Sequence, residues 1–247
     1  MTPDETKPGA TKPGATKPGA TKPRETKPRE TTTLFLARHG ETVWHAENRY
    51  TGSSDIALTA RGEEQAEALG RWAASARLDA IVASPLSRAR RTAAPSLRTT
   101  GLPETLEPGL CELDFGIAEG RTLAEVEARD PDAVAEFVRA PATRPLPGGD
   151  DPVAAAARGA DALWRVAEAH RGGRVLVVAH NTLYRLVLCH LLSIPLDDYR
   201  RVLPGLRNGA VTELRMRPGG QRQASLMSYN VPNNVPSNVP TEQPSSP

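Results

Sequence analysis

The chain has 247 residues, 38% hydrophobic and only 4% aromatic, with 23 prolines and 20 glycines, which is one large domain flanked by segments too lean to join a core. Thirty-one Lys and Arg against 29 Asp and Glu leave a formal charge of +2, a balance that argues against a dedicated nucleic-acid partner. No apolar run approaches the ~18 residues of a membrane span, the N-terminal stretch lacks the apolar core of a secretory leader, and the two cysteines, Cys111 and Cys189, make no disulfide scaffold; a reducing cytoplasm is the expected compartment.

Residues 1–31 are a pentapeptide repeat. Thr6-Lys7-Pro8-Gly9-Ala10 recurs and then becomes Thr-Lys-Pro-Arg-Glu, and all the lysines of the protein lie here. Proline at every fifth position removes a backbone donor, and no large apolar side chain offsets the entropy of ordering, so disorder is predicted. At the other end, Asn-Val-Pro recurs from Asn230, Asn234 and Asn238 and runs into a Ser/Pro finish. The folded body is therefore placed at 32–218, with a second disordered tail over 219–247.

Within the body, strands and helices alternate. Thr33–Ala37 is a short apolar run suited to a buried strand. Thr59 is a candidate N-cap for a helix with Glu63 and Glu64 in its first turn and Ala66, Leu69 and Ala73 facing inward. Asp79–Ala83 reads as a second strand, followed by an Arg/Ala-rich helix from about Leu86. Residues 122–138 and 152–170 read as helices. Arg174–Ala179 is the clearest buried strand, a helix over Thr182–Leu192 follows it, and Val211–Met216 is the last strand. His170 is placed at a helix C-terminus and His190 inside a helix. The pattern predicts an α/β fold: a single-domain, three-layer α/β/α sandwich with a mostly parallel central sheet.

Three of these strands run directly into polar residues: Arg38-His39-Gly40-Glu41, Ser84-Pro85-Leu86-Ser87-Arg88 and His180-Asn181. A sheet of this type binds ligands beyond the carboxyl ends of its strands, so two histidines and two arginines are predicted to converge. Arginine presents a planar fork matched to phosphate oxygens. A neutral imidazole can attack phosphorus, and a nearby carboxylic acid can protonate the leaving alkoxide. Gly40 would let the backbone approach a bulky anion. No histidine pair has zinc-site spacing, and neither cysteine has a CxxC partner, so no metal and no cofactor is expected.

The motifs resemble those of the histidine phosphatase superfamily, the phosphoglycerate-mutase-like proteins, over about residues 33–216. They are Leu36-Ala37-Arg38-His39-Gly40-Glu41-Thr42-Val43-Trp44, Ser84-Pro85-Leu86-Ser87-Arg88-Ala89, Leu110-Cys111-Glu112-Leu113-Asp114-Phe115-Gly116 with Glu119-Gly120, and Val177-Val178-Ala179-His180. The resemblance implies His39 as the phosphorylated nucleophile, Arg38, Arg88 and His180 as the phosphoryl clamp, and Glu112 as the proton donor. It implies a further phosphate contact at Arg49 and leaves Glu119 as a less favoured acid. Two positions depart from the family pattern. His45 replaces an Asn that commonly touches phosphate, and Asn181 replaces a Gly, so His45 and Asn181 are candidate substrate contacts beside Gly40.

Only 68 positions separate Glu112 from His180, which resembles the shorter phosphatase branch. The expectation is a phosphomonoester hydrolase acting on a small phosphorylated metabolite, its specificity loops within 113–150. The alternatives are a cofactor-dependent mutase and a non-catalytic phospholigand-binding module. No sequence feature specifies an oligomeric state.

Overall fold

The computed structural model describes Met1 and residues 31–233. Nearly all of the N-terminal repeat, and the C-terminal stretch from Asn234, lie outside the described residues. Six strands form one sheet: β1 (Thr32–Arg38), β2 (Ala80–Ala83), β3 (Glu104–Leu106), β4 (Arg174–Ala179), β5 (Val211–Arg217) and β6 (Gln223–Val231), in the order β3-β2-β4-β1-β5-β6. The pairings from β3 to β1 are parallel and those of β5 and β6 are antiparallel.

Alternation along the strands splits the core into two layers. Leu34, Leu36, Val175 and Val177 face α5 (Pro152–Ala169) and α6 (Asn181–Leu191), packing on Leu163, Leu183 and Leu186. Phe35, Ala37, Ile81, Leu176 and Val178 face α1 (Ala60–Ser75) and α2 (Ser87–Thr100), packing on Leu69, Ala89 and Ala93. Each such side chain taken fully from water contributes about 1.5–3 kcal/mol. The α/β/α sandwich is thus present, and its sheet is mixed. Thr59 caps α1 as predicted, its hydroxyl accepting from the Gly62 N–H at 3.0 Å.

The register fixes where functional groups emerge. Arg38 pairs with Ala179, and Ala83 pairs with Val178. The next residues, His39, Ser84 and His180, therefore leave the sheet at one edge. Because β5 is antiparallel, with Val211 opposite Ala37, the loop entering β5 reaches that same edge.

Three expectations are corrected. The folded region does not stop at 218, because β6 adds an antiparallel edge strand as far as Val231. The 122–138 stretch is two helices, α3 (Leu123–Glu127) and α4 (Pro131–Arg139), because Asp130 caps a new helix and Pro131 takes its first position. These helices close a small separate core of Val126, Val134, Phe137 and Leu146, so much of 113–150 is folded layer rather than loop. His190 lies inside α6 as expected, in its last turn and facing solvent. A last short helix, α7 (Tyr199–Val202), leads into the Leu203–Ala210 loop before β5.

Candidate active site

His39 follows β1 directly and is 4% exposed. Its Nδ1 lies 2.7 Å from the Gly40 carbonyl oxygen. A carbonyl only accepts, so Nδ1 carries the proton and Nε2 keeps the lone pair. Burial, then the positive charge of Arg88, hold the imidazole well below its ordinary titration range, with His180, Arg38 and His45 adding to the effect. The result is a neutral ring with a bare Nε2 beside guanidinium groups.

His180 is fully buried, its ring centroid 5.3 Å from that of His39. Its Nε2 is 2.7 Å from the Ser84 hydroxyl, which accepts weakly from the Leu86 N–H at 3.4 Å. The Ser84 proton is then directed at Nε2, which leaves the proton of His180 on Nδ1. That buried Nδ1 has no acceptor among the described residues, and neither does the buried Nε of Arg88. Burial and the Arg88 charge keep His180 neutral too. Buried donors rarely go unpaired, so this pair beside a bare nucleophile is arranged for an anion with several oxygens.

Arg88, the largest fully buried side chain, reaches from α2 into the Thr51–Ser54 loop. Its terminal nitrogens donate to the Ser54 and Gly52 carbonyls at 2.9 and 2.7 Å and to Thr51 at 3.4 Å. Glu119 fastens that loop from the other side: its carboxylate accepts from the Gly52 N–H and the Ser54 N–H at 3.0 Å. Gly52 is obligatory here, because a Cβ would collide with the Leu113 carbonyl and the Glu119 carboxylate. Glu119 thus holds a loop.

Glu112 is 7% exposed and meets the N-terminus of α6. Its oxygens accept from the Thr182, Leu183 and Leu113 N–H groups at 3.0, 2.9 and 3.1 Å. Those bonds and Arg88 favour the carboxylate, but burial outweighs them and raises its pKa. A buried acid whose pKa is raised keeps its proton to higher pH, the direction that leaving-group protonation needs.

Arg38 donates to the Leu206 carbonyl at 2.5 Å and to His45 Nε2 at 2.7 Å. The amide nitrogen of Asn208 also approaches that Nε2, at 3.2 Å, and donates to the His39 carbonyl at 2.9 Å. On the other side of the ring the Thr42 N–H donates to Nδ1 at 3.0 Å, and the Thr42 hydroxyl lies 2.8 Å from the same nitrogen. Burial, then Arg38, lower the His45 pKa to about 3.

The structure therefore brings Arg38, His39, His45, Arg88, Glu112 and His180 together and turns three other candidates elsewhere. The Arg49 guanidinium is occupied by Glu47, Glu125 and the Gly120 carbonyl, at 2.6, 2.7 and 2.8 Å. Asn181 accepts from the Leu206 N–H at 3.0 Å and so ties down the loop before β5. The Gly40 N–H is spent on the Thr92 hydroxyl at 2.9 Å, and a Cβ there would strike the Gly62 backbone; close packing against α1, rather than anion approach, requires that glycine. His45 is engaged with Arg38. Sequence reasoning assigned no role to Ser84, Thr92 or Asn208. Ser84 was readable as the residue directly after β2, whereas Asn208 needed the antiparallel direction of β5. Among the described residues no three His, Cys, Asp or Glu side chains are grouped to hold a metal ion, and no helix is long and apolar enough to cross a membrane.

Comparison with known proteins gives the chain a family. Residues 34–228 match the histidine phosphatase superfamily, branch 1. The probable phosphoglycerate mutase GpmB of Salmonella choleraesuis is 33% identical over 181 residues, 73% of this chain and 83% of that protein. A mycobacterial glucosyl-3-phosphoglycerate phosphatase structure superposes with a TM-score of 0.74 at 27% identity, covering 81% of this chain and 99% of that one. The alpha-ribazole phosphatase of Shigella flexneri gives 0.70 at 26% identity, over 83% of this chain and 100% of its own. Its match over most of its length makes this chain a member of the histidine phosphatase superfamily.

Proposed function

We propose that the protein is a metal-independent phosphomonoester hydrolase that works on a small phosphorylated metabolite through a phosphohistidine. One observation carries the reading: a neutral imidazole with a bare Nε2 lies beside two buried donors, His180 Nδ1 and Arg88 Nε, that lack acceptors. In the first half-reaction His39 Nε2 attacks phosphorus, the bond from phosphorus to the leaving oxygen breaks, and Glu112 gives that oxygen its proton. Arg38, Arg88 and His180 hold the equatorial oxygens as charge develops. In the second, water attacks phosphorus, the N–P bond breaks, and the Glu112 carboxylate takes a proton from the water. Arg49, His45, Asn181 and Gly40 support the site through the contacts described above instead of touching the phosphoryl group. The solved neighbours named as phosphatases support hydrolysis of a small substrate.

The test is turnover of p-nitrophenyl phosphate in EDTA. Wild type should hydrolyse it fully, and His39→Ala should fall below about 0.1% of that rate. A few per cent of residual activity, or dependence on a divalent ion, overturns the mechanism. The GpmB likeness favours a second reading, phosphoglycerate mutation, which requires activity dependent on 2,3-bisphosphoglycerate.

Glu112 gives a separate test through kcat/KM, which reports phosphorylation of His39. Its raised pKa keeps the acid form present to higher pH, and kcat/KM should fall as pH rises through that value. Glu112→Gln should abolish this alkaline limb and cost about 10²–10⁴-fold on an alkyl phosphate. The loss should be far smaller on p-nitrophenyl phosphate, whose leaving group needs no proton. Equal losses on both substrates would remove Glu112 from that role.

A further inference from the structure

The end of β6 reaches back over the site. Opposite Val211–Glu213 of β5, the β6 register slips from Val231 to Ser228, a bulge centred on Tyr229 and Asn230. Bulges re-aim side chains and recur beside active sites. Asn230 occupies the left-handed region at φ 56°, where Asn is among the few tolerated non-glycine residues. This turns its amide onto the loop before β5. The amide oxygen accepts from the Arg207 N–H at 2.8 Å, and the amide nitrogen donates to the Gly205 carbonyl at 3.1 Å. The Tyr229 hydroxyl donates to the same carbonyl at 3.2 Å. Between these anchor points lies Leu206, whose carbonyl accepts from Arg38, and one residue beyond them Asn208 grips the His39 carbonyl.

We propose that Asn230, assisted by Tyr229, is a positioning residue for Arg38. It holds the Gly205–Asn208 loop in the one shape that presents the Leu206 carbonyl to the guanidinium. The inference rests on the reading of Arg38 as a phosphoryl clamp. Both residues lie just beyond the stretch that matches the family, which ends at residue 228. Asn181 holds the opposite side of the loop through the Leu206 N–H. Without Asn230 the loop loses its hold at the Arg207 N–H and one of two bonds at the Gly205 carbonyl, keeping Asn181 at Leu206 and Tyr229 at Gly205.

The experiment uses the full chain, p-nitrophenyl phosphate, and inorganic phosphate as competitive inhibitor. Asn230→Gly keeps the left-handed backbone accessible and deletes both amide bonds. KM and the inhibition constant for phosphate should each rise about tenfold, as for one lost oriented hydrogen bond, and kcat should fall as well, because Arg38 also holds the charge that develops in the transition state. Adding Asn230→Gly to Arg38→Ala should then change neither constant, because the brace acts only through that guanidinium. Should Asn230→Gly fail to fold, Tyr229→Phe reads the same effect at smaller size. Unchanged constants in both variants, or a full additional loss on top of Arg38→Ala, overturn the inference while leaving the phosphatase reading intact. Normal phosphate affinity in Arg38→Ala alone overturns the reading itself.

Discussion

Arg88 donates to carbonyls of the Thr51–Ser54 loop, and Arg38 donates to a carbonyl of the Leu203–Ala210 loop and to an imidazole. Each loop is in turn pinned by polar side chains from elsewhere, Glu119 for the first and Asn181 and Asn230 for the second. The cradles share this layout and differ in charge. Arg88 is wholly buried, and burial works against its charge, while Glu112, Glu119 and Asp55 sustain it. Arg38 is half-buried, and two of the groups that receive its N–H bonds, the Leu206 carbonyl and His45, are neutral. A guanidinium taken completely out of water needs acidic company, because desolvation would otherwise exceed what hydrogen bonds return. One that keeps some solvent can also be aimed by a carbonyl and an imidazole.

Breaking the acidic cradle should have the larger effect. Glu119→Ala frees the Gly52 and Ser54 N–H groups, so the carbonyls that hold Arg88 lose their fixed positions. We expect kcat on p-nitrophenyl phosphate to fall about 10²-fold, toward the loss from Arg88→Ala, as when one preorganised donor is removed. The double variant should be no worse than Arg88→Ala alone. If Glu119→Ala stays within twofold of wild type, the loop holds Arg88 without its clamp and the likeness between the cradles fails. Steady-state kinetics of the three variants decide it.

The two cradles were also unequally legible. Arg88 and Glu119 stand in recognisable motifs, and a buried strand running into Ser84-Pro85 announces where α2 begins. His39 and His180 could be paired because the parallel strands before them are continuous apolar runs, and such runs share an edge. The Arg38 cradle depended on facts that no local pattern carries. β6 is an edge strand with mixed exposure, and its Gln-Ala-Ser-Leu-Met-Ser-Tyr stretch has no clean alternation. It then runs into an Asn-Val-Pro repeat whose composition reads as disorder, although the first Asn of that repeat is the one that docks. β3, three residues long and partly exposed, left no signal either. The Arg49 pairing was not legible either: the residue follows the first motif, and its guanidinium lies against Glu125, in the capping box of α3.

The neutral cradle can be sharpened through His45, by stability rather than by rate. Folded His45 is held at about 3, whereas in the unfolded chain it titrates near ~6.5. Above ~6.5 it is neutral in both states and contributes no pH dependence. Below that, the unfolded chain binds a proton that the folded chain refuses, so stability falls as pH drops from ~6.5 toward 3. Each such histidine costs up to about 1.4 kcal/mol per pH unit, and His39 and His180, also lowered, act in the same direction. Asn at position 45 still offers Arg38 an acceptor oxygen, so we expect His45→Asn to leave KM within about threefold of wild type. At pH 8 the variant should pay only its packing cost. Between ~6.5 and pH 5 it should regain up to about 2 kcal/mol relative to wild type, because one of the three refused protons is gone. Urea unfolding of both proteins at pH 8 and pH 5 measures the difference. A gap that does not change with pH would mean that folded His45 accepts a proton beside Arg38, and the neutral cradle would not survive that result.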